Sequence, residues 1–229
     1  MSTSPAPRTF EVRHVQLARA VFAALAAVMI TFSPDHSAAV GMSVFSGWAI
    51  ATSIVFFVSI WLVYPSGQRW PSVLLGIVTV IAGMAGGVTA WRTTLVFFIA
   101  VIAWALLAGT IETVAGARAR RALRDSADAQ ARGEARDALT IGIITIVLGL
   151  GLLFVPTQYA LNYYIEDAGR SFTLTGITIG VGIFGGYAAI IAVYLAIAGF
   201  SPRRASVAED GAPAPVENAP TASDQGGAA

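Results

Sequence analysis

Apolar residues run along this chain in long blocks, not in alternation. The first block covers residues 17–32, interrupted by Arg19, and ends at Pro34, which cannot continue a helix. Residues 37–68 carry no charge at all, and a second helix is predicted over about 42–64, stopping at Pro65-Ser66-Gly67. Two further blocks, about 70–90 and 93–115, meet at a short Trp91-Arg92 turn. A fifth follows at about 138–155, ending at Pro156, and a sixth lies within 171–200. Most blocks approach or exceed the roughly 20 residues that a helix needs to cross the hydrocarbon of a bilayer. The pattern predicts an all-α membrane protein whose six transmembrane helices form three repeated helical hairpins, with the hairpin over 69–121 as the best-defined unit.

Composition strengthens this picture. Of 229 residues 56% are hydrophobic and 12% are charged, and the mean hydropathy is +0.71. A soluble domain carries about 25% charge. The basic start before the first apolar block resembles a signal peptide, but another apolar block follows almost at once, so an uncleaved first helix is expected. The predicted organisation is an N-terminal tail (1–16), a transmembrane domain (17–200) with a charged helical connector at 117–137, and a C-terminal tail (201–229), poor in apolar residues and expected to be disordered. In the connector arginines alternate with acids, which predicts a solvated segment and no nucleic-acid partner.

Charge placement then orients the chain. With six spans, twelve arginines fall on the side of the termini and only Arg92 and Arg170 on the other. By the positive-inside rule both termini are expected in the cytoplasm, with the protein multi-pass in a bacterial inner membrane.

The odd helices share a seven-residue step. Arg13, Ala20, Ala27 and Pro34 repeat as Arg69, Gly76, Gly83 and Ala90, 56 positions later, and again in part as Gly142, Gly149 and Pro156. Trp48 and Trp104 are also 56 apart. Gly83 with Gly87, Gly176 with Gly180, and Gly182 with Gly186 form small-xxx-small pairs. Lipid gives helices no hydrophobic drive to associate, so small residues that permit close backbone approach mark packing faces, within the chain or in a homo-oligomer.

These residues carry a resemblance. A Trp at the membrane edge (Trp70), spaced glycines, and W-A-x-x-x-G-x-x-E as Trp104, Gly109 and Glu112 before an arginine-rich end resemble the HdeD family of small bacterial membrane proteins, linked to acid resistance. The match is best over 70–121, and 141–156 resembles the family's odd-helix pattern. The first hairpin fits weakly, and the sixth helix lacks the Glu. The resemblance implies a six-helix inner-membrane stress protein without known catalysis.

Candidate chemistry is sparse. Glu112 is the one acid within an apolar span, and such groups are expensive and find partners. Folding the hairpin back at Arg92 brings it near Arg69, so an ion pair with Arg69 or Arg118 is expected, with a proton-sensitive role as the functional alternative. Asp35 and His36, in the first outer loop, are candidates for pH sensing. Glu166, Asp167 and Arg170 form an outer charged cluster beside Tyr159, Tyr163 and Tyr164, which suit an interfacial belt. There is no Cys, and no phosphate-loop or HExxH motif, so no catalytic, cofactor-binding or metal residues are assigned. The function expected is a non-enzymatic integral membrane protein of stress or acid tolerance, in contact with the lipid bilayer. The alternatives are a small solute or proton transporter or channel, or a lipid-interacting scaffold.

Overall fold

A computed structural model describes residues 10–167 and 169–201; the expected tails at 1–9 and 202–229 lie outside the described residues. Six helices run in order: α1 (Val12–Thr31), α2 (Ala38–Leu62), α3 (Trp70–Gly87), α4 (Thr94–Ala122), α5 (Ala129–Leu153) and α6 (Gly176–Phe200). All six are long and apolar enough to cross a membrane. The shortest, α3, has 18 residues and rises about 27 Å, close to the roughly 30 Å of bilayer hydrocarbon. Their outward faces carry Leu25, Ile81, Ile99, Val147 and Val193, all exposed. The chain is an integral membrane protein with six spanning helices among the described residues.

Polar residues set the helix starts. Ser37, Thr93, Asp128 and Thr175 each accept a hydrogen bond from a backbone N–H of the first turn of α2, α4, α5 and α6. Pro71 stands in the first turn of α3, where its missing N–H has no cost. Arg92 Nη2 donates to the Gly87 carbonyl at the end of α3.

Two segments differ from expectation. The connector at 117–137 is not a separate element. Its first part extends α4 to Ala122, its last part begins α5 at Ala129, and the turn between is short. The good helix formers there simply propagate helices that are already nucleated. The polar stretch after α5 is also more ordered than a loop. It forms an antiparallel hairpin, β1 (Ala160–Ile165) with β2 (Arg170–Thr175), in which Tyr163 faces Phe172. Those two rings stack at 5.9 Å, and Thr173 Oγ1 donates to Asn162 Oδ1 at 2.6 Å. Gly169 takes φ +61 at the turn, a left-handed conformation that glycine reaches without strain. Aromatic and β-branched residues at alternate positions favour strands, a signal masked by reading the stretch as polar.

The two helices of a predicted hairpin are not the closest pairs. The most extensive packing joins α4 to α5, α1 to α6 and α2 to α3, so each tight seam links one predicted hairpin to the next and the ring closes through α6 and α1. Glycine explains these seams. A Cβ on Gly109 of α4 would lie 2.8 Å from the Gly142 carbonyl oxygen of α5. On Gly83 of α3 it would lie 2.9 Å from Ile50 of α2, and on Gly185 of α6 2.7 Å from Ile30 of α1. Ser46 Oγ crosses the α2–α3 seam to the Gly83 carbonyl at 2.7 Å. Gly76 meets Phe57 and Gly149 meets Leu106, so the seven-residue glycines do line seams. The pairs named at four-residue spacing fare unevenly. Gly87 makes only ordinary contact with Ser46, Gly176 meets the Pro156 carbonyl in the loop, and Gly180 sits under Phe98. Gly182 and Gly186 face open space and pack against nothing.

Where α2, α4 and α6 approach one another the side chains are large. Phe45, Trp48, Trp104, Phe184 and Tyr187 form one buried aromatic cluster, with Trp48 edge-on to Trp104 at 4.9 Å. Phe45 and Phe184 meet at 5.5 Å.

Candidate functional site

The arginine-rich end of the bundle gathers the start of α1, α3 and α5 and the end of α2, α4 and α6. There the helices enclose a cleft of about 480 Å³. Its walls bring together Gln16 and Arg19 of α1, Tyr64 after α2, Ser72 of α3, Glu112 and Arg118 of α4 and Glu134 of α5. Apolar side chains such as Phe56, Leu75 and Ile141 complete it.

At its base Arg19 Nη1 pairs with Glu112 Oε1 at 2.8 Å. The two side chains are 14% and 8% exposed, so the pair is nearly desolvated. The Arg19 guanidinium also stacks 4.7 Å over the Phe56 ring. A charge so placed is tolerated only when paired, and the guanidinium provides the strongest available donor set.

The sequence-based pairing of Glu112 with Arg69 or Arg118 is therefore corrected. Arg69 Nε donates to the Tyr64 carbonyl at 3.0 Å and its guanidinium lies 5.7 Å from the Trp61 ring. Arg118 lies 5.5 Å over Trp70. Both sit at helix ends, where aromatic faces and water accept them. Arg19 stands about two turns inside α1 with its side chain 14% exposed, so its charge is met by Glu112. The clue was present in the sequence: one base and one acid, each alone inside an apolar block.

A second tie was also missed. Asp137, assigned to the solvated connector, accepts from Gln16 Nε2 at 3.3 Å and from the Tyr194 hydroxyl at 3.0 Å. It joins α1, α5 and α6 at the arginine-rich end. Burial raises the Tyr64 phenol above the usual tyrosine range, so it remains a neutral hydrogen-bonding group at physiological pH.

Beyond the ion pair the interior closes. Arg19, Phe56, Leu75 and Glu112 also line a void of about 10 Å³, and the aromatic cluster lies beyond. Trp104 Nε1 donates to Thr79 Oγ1 at 3.2 Å, and the Tyr187 and Thr145 hydroxyls are 3.0 Å apart.

No protein-family model matches the chain, and no curated protein or solved structure is significantly similar to it.

The other candidates stand apart. Asp35 is built into the α1–α2 turn: its carboxylate accepts from the Ser37 N–H and the Ser37 hydroxyl, both at 2.8 Å, and so orients the residue that caps α2. His36 is half-buried beside it. Arg170 lies 4.7 Å over the Phe172 ring of the hairpin. These groups lie at the end opposite Glu112, and the structure does not join them to the cleft. Among the described residues no three His, Cys, Asp or Glu side chains are grouped to hold a metal ion.

Proposed function

We propose that this protein is a non-enzymatic component of the bacterial cytoplasmic membrane, with both termini in the cytoplasm, acting in stress or acid tolerance as the resemblance to the HdeD family implies. The observation that carries the reading is the desolvated Arg19–Glu112 pair at the base of a cleft on the arginine-rich side. Its state depends on the charge of one carboxylate. Without the Glu112 charge a buried guanidinium has no partner, and α1 loses its ionic link to α4. Arg118 and Tyr64 in the cleft, Glu134 on α5 and Tyr187 on α6 surround the pair and set its field.

The test is survival at low pH of cells lacking the protein, complemented with wild type, Glu112→Gln or Arg19→Gln at matched membrane levels. Rescue by wild type and failure of both variants supports the reading. Equal rescue by all three makes the pair a structural link only. Absence of any survival defect in the deletion removes the acid-tolerance role.

One observation favours transport as the second reading: the cleft reaches the ion pair from one side. Against it, the aromatic cluster fills the interior beyond. Proton or solute flux in proteoliposomes, absent in Glu112→Gln, is what that reading requires.

A further inference from the structure

Trp48, Trp104 and Tyr187 occupy corresponding places on α2, α4 and α6, and two of the three have a threonine partner on an odd helix. Trp104 bonds to Thr79 of α3, and Tyr187 to Thr145 of α5. The position on α1 that matches Thr79 is Ala23, 56 residues earlier, just as Trp48 stands 56 before Trp104. Alanine has no hydroxyl to offer. Trp48 Nε1 is buried without a hydrogen-bond partner, and so is Thr52 Oγ1, one turn further along α2. Trp48 is 7% exposed and Thr52 3%. At this place lies the void of about 10 Å³, walled by Ala23, Trp48, Thr52, Arg19 and Glu112 among others.

We propose that this void is a binding site for one water-sized hydrogen-bond acceptor, held by Trp48 Nε1 and Thr52 Oγ1 beside Arg19. Size and chemistry both select the occupant. The space is about that of a single water probe. An indole N–H only donates, so the occupant must accept, which excludes a bare cation at that atom. The threonine hydroxyl provides a second donor, and the guanidinium supplies positive charge. Water and a monatomic halide share this chemistry. Because Arg19 and Glu112 line both spaces, the occupant enters from the cleft past the ion pair. A buried donor left unmade is costly, and the occupant supplies what Ala23 lacks. The inference stands on the aromatic cluster and the void, and it survives if the stress role fails.

The test uses the full chain in lipid nanodiscs with ¹⁵N-labelled indoles, the Trp48 signal being assigned by its loss in Trp48→Phe. Cross-relaxation with water is measured first. Sodium fluoride and sodium chloride are then titrated against sodium gluconate, whose anion is too large for the void. The expected result is a hydrogen-bonded Trp48 N–H with a water cross-peak or a saturable halide shift. Water contact that halides leave unchanged identifies water as the occupant; a saturable halide shift identifies an anion site. Ala23→Thr, which gives Trp48 an internal partner, is expected to abolish either signal. Thr52→Val is expected to weaken a halide response roughly tenfold, or to shorten the residence of the water. Trp104, bonded to Thr79, serves as the unchanged reference. A wild-type Trp48 N–H with neither signal overturns the proposal, as does a signal that both variants leave intact.

Discussion

The seam between α4 and α5 and the centre where α2, α4 and α6 meet hold helices together by opposite means. At the seam side chains are missing: Gly109, Gly116 and Gly142 bring two backbones into contact, and a Cβ on Gly116 would lie 2.9 Å from the Ala135 carbonyl oxygen. At the centre the largest side chains in the protein keep the backbones apart and fill the gap with rings. A seam of glycines tolerates no added atom, whereas the centre tolerates polar groups only where each has a partner. In lipid, where apolar contact alone does not discriminate between arrangements, these two devices specify which helix neighbours which.

Four tests sharpen the contrast. The largest effect is expected at the ion pair beside the centre. Glu112→Ala strands the Arg19 guanidinium and is expected to cost about 3–5 kcal/mol. The double variant Arg19→Leu/Glu112→Leu is expected to recover most of that loss, because it removes both charges together. Denaturant titration of the purified protein in mixed micelles, run as a double-mutant cycle, checks this. Additive losses would show that the pair is not coupled.

Next is the seam. Gly142→Val forces a branched side chain against Thr113 and the Gly109 carbonyl, and overpacking of this kind costs about 1–3 kcal/mol. Gly182→Val, on a face with nothing nearby, is expected to stay within about 0.5 kcal/mol of wild type. Thermal unfolding of the two side by side is the measurement. Equal losses would mean that glycine acts through helix propensity and not through close approach.

A smaller difference is expected between the two tryptophans. Trp104→Phe removes the bond to Thr79 and leaves a buried hydroxyl, which costs about 1 kcal/mol beyond the change in packing. Trp48→Phe loses no protein partner, only the bond to the exchangeable group proposed above, and is expected to cost less. The same denaturant titration ranks them, and a loss at Trp48 as large as at Trp104 would show that the bound group holds Trp48 as firmly as Thr79 holds Trp104. The smallest effect, in the α1–α2 turn, comes from Ser37→Ala, which removes the α2 cap and one of the two Ser37 donors to Asp35 for about 1 kcal/mol or less.

Much of the fold was legible because a bilayer imposes length and apolarity on any helix that crosses it. Six blocks, their approximate limits at Pro34, Pro65 and Pro156, and the seven-residue glycines could all be read locally. The hairpin over 160–175 was not, since its Tyr and Asn residues suit a loop or a strand equally until pairing decides. The candidate site was half legible. Glu112 stood out as an acid in an apolar span, but its partner was sought within its own hairpin.

The sequence alone determined that the chain crosses a membrane as six helices, roughly which residues form each span, and that the seven-residue glycines must stay small, because these follow from solvent and helix geometry. Only the tertiary structure decided that α4 packs on α5 and α6 returns to α1, that Glu112 pairs with Arg19 across 93 positions, and that Ala23 leaves Trp48 unpartnered. Those facts depend on which helix faces turn inward together. In a chain whose spans are all similarly apolar, that choice is made by the fit of a few glycines, rings and charges.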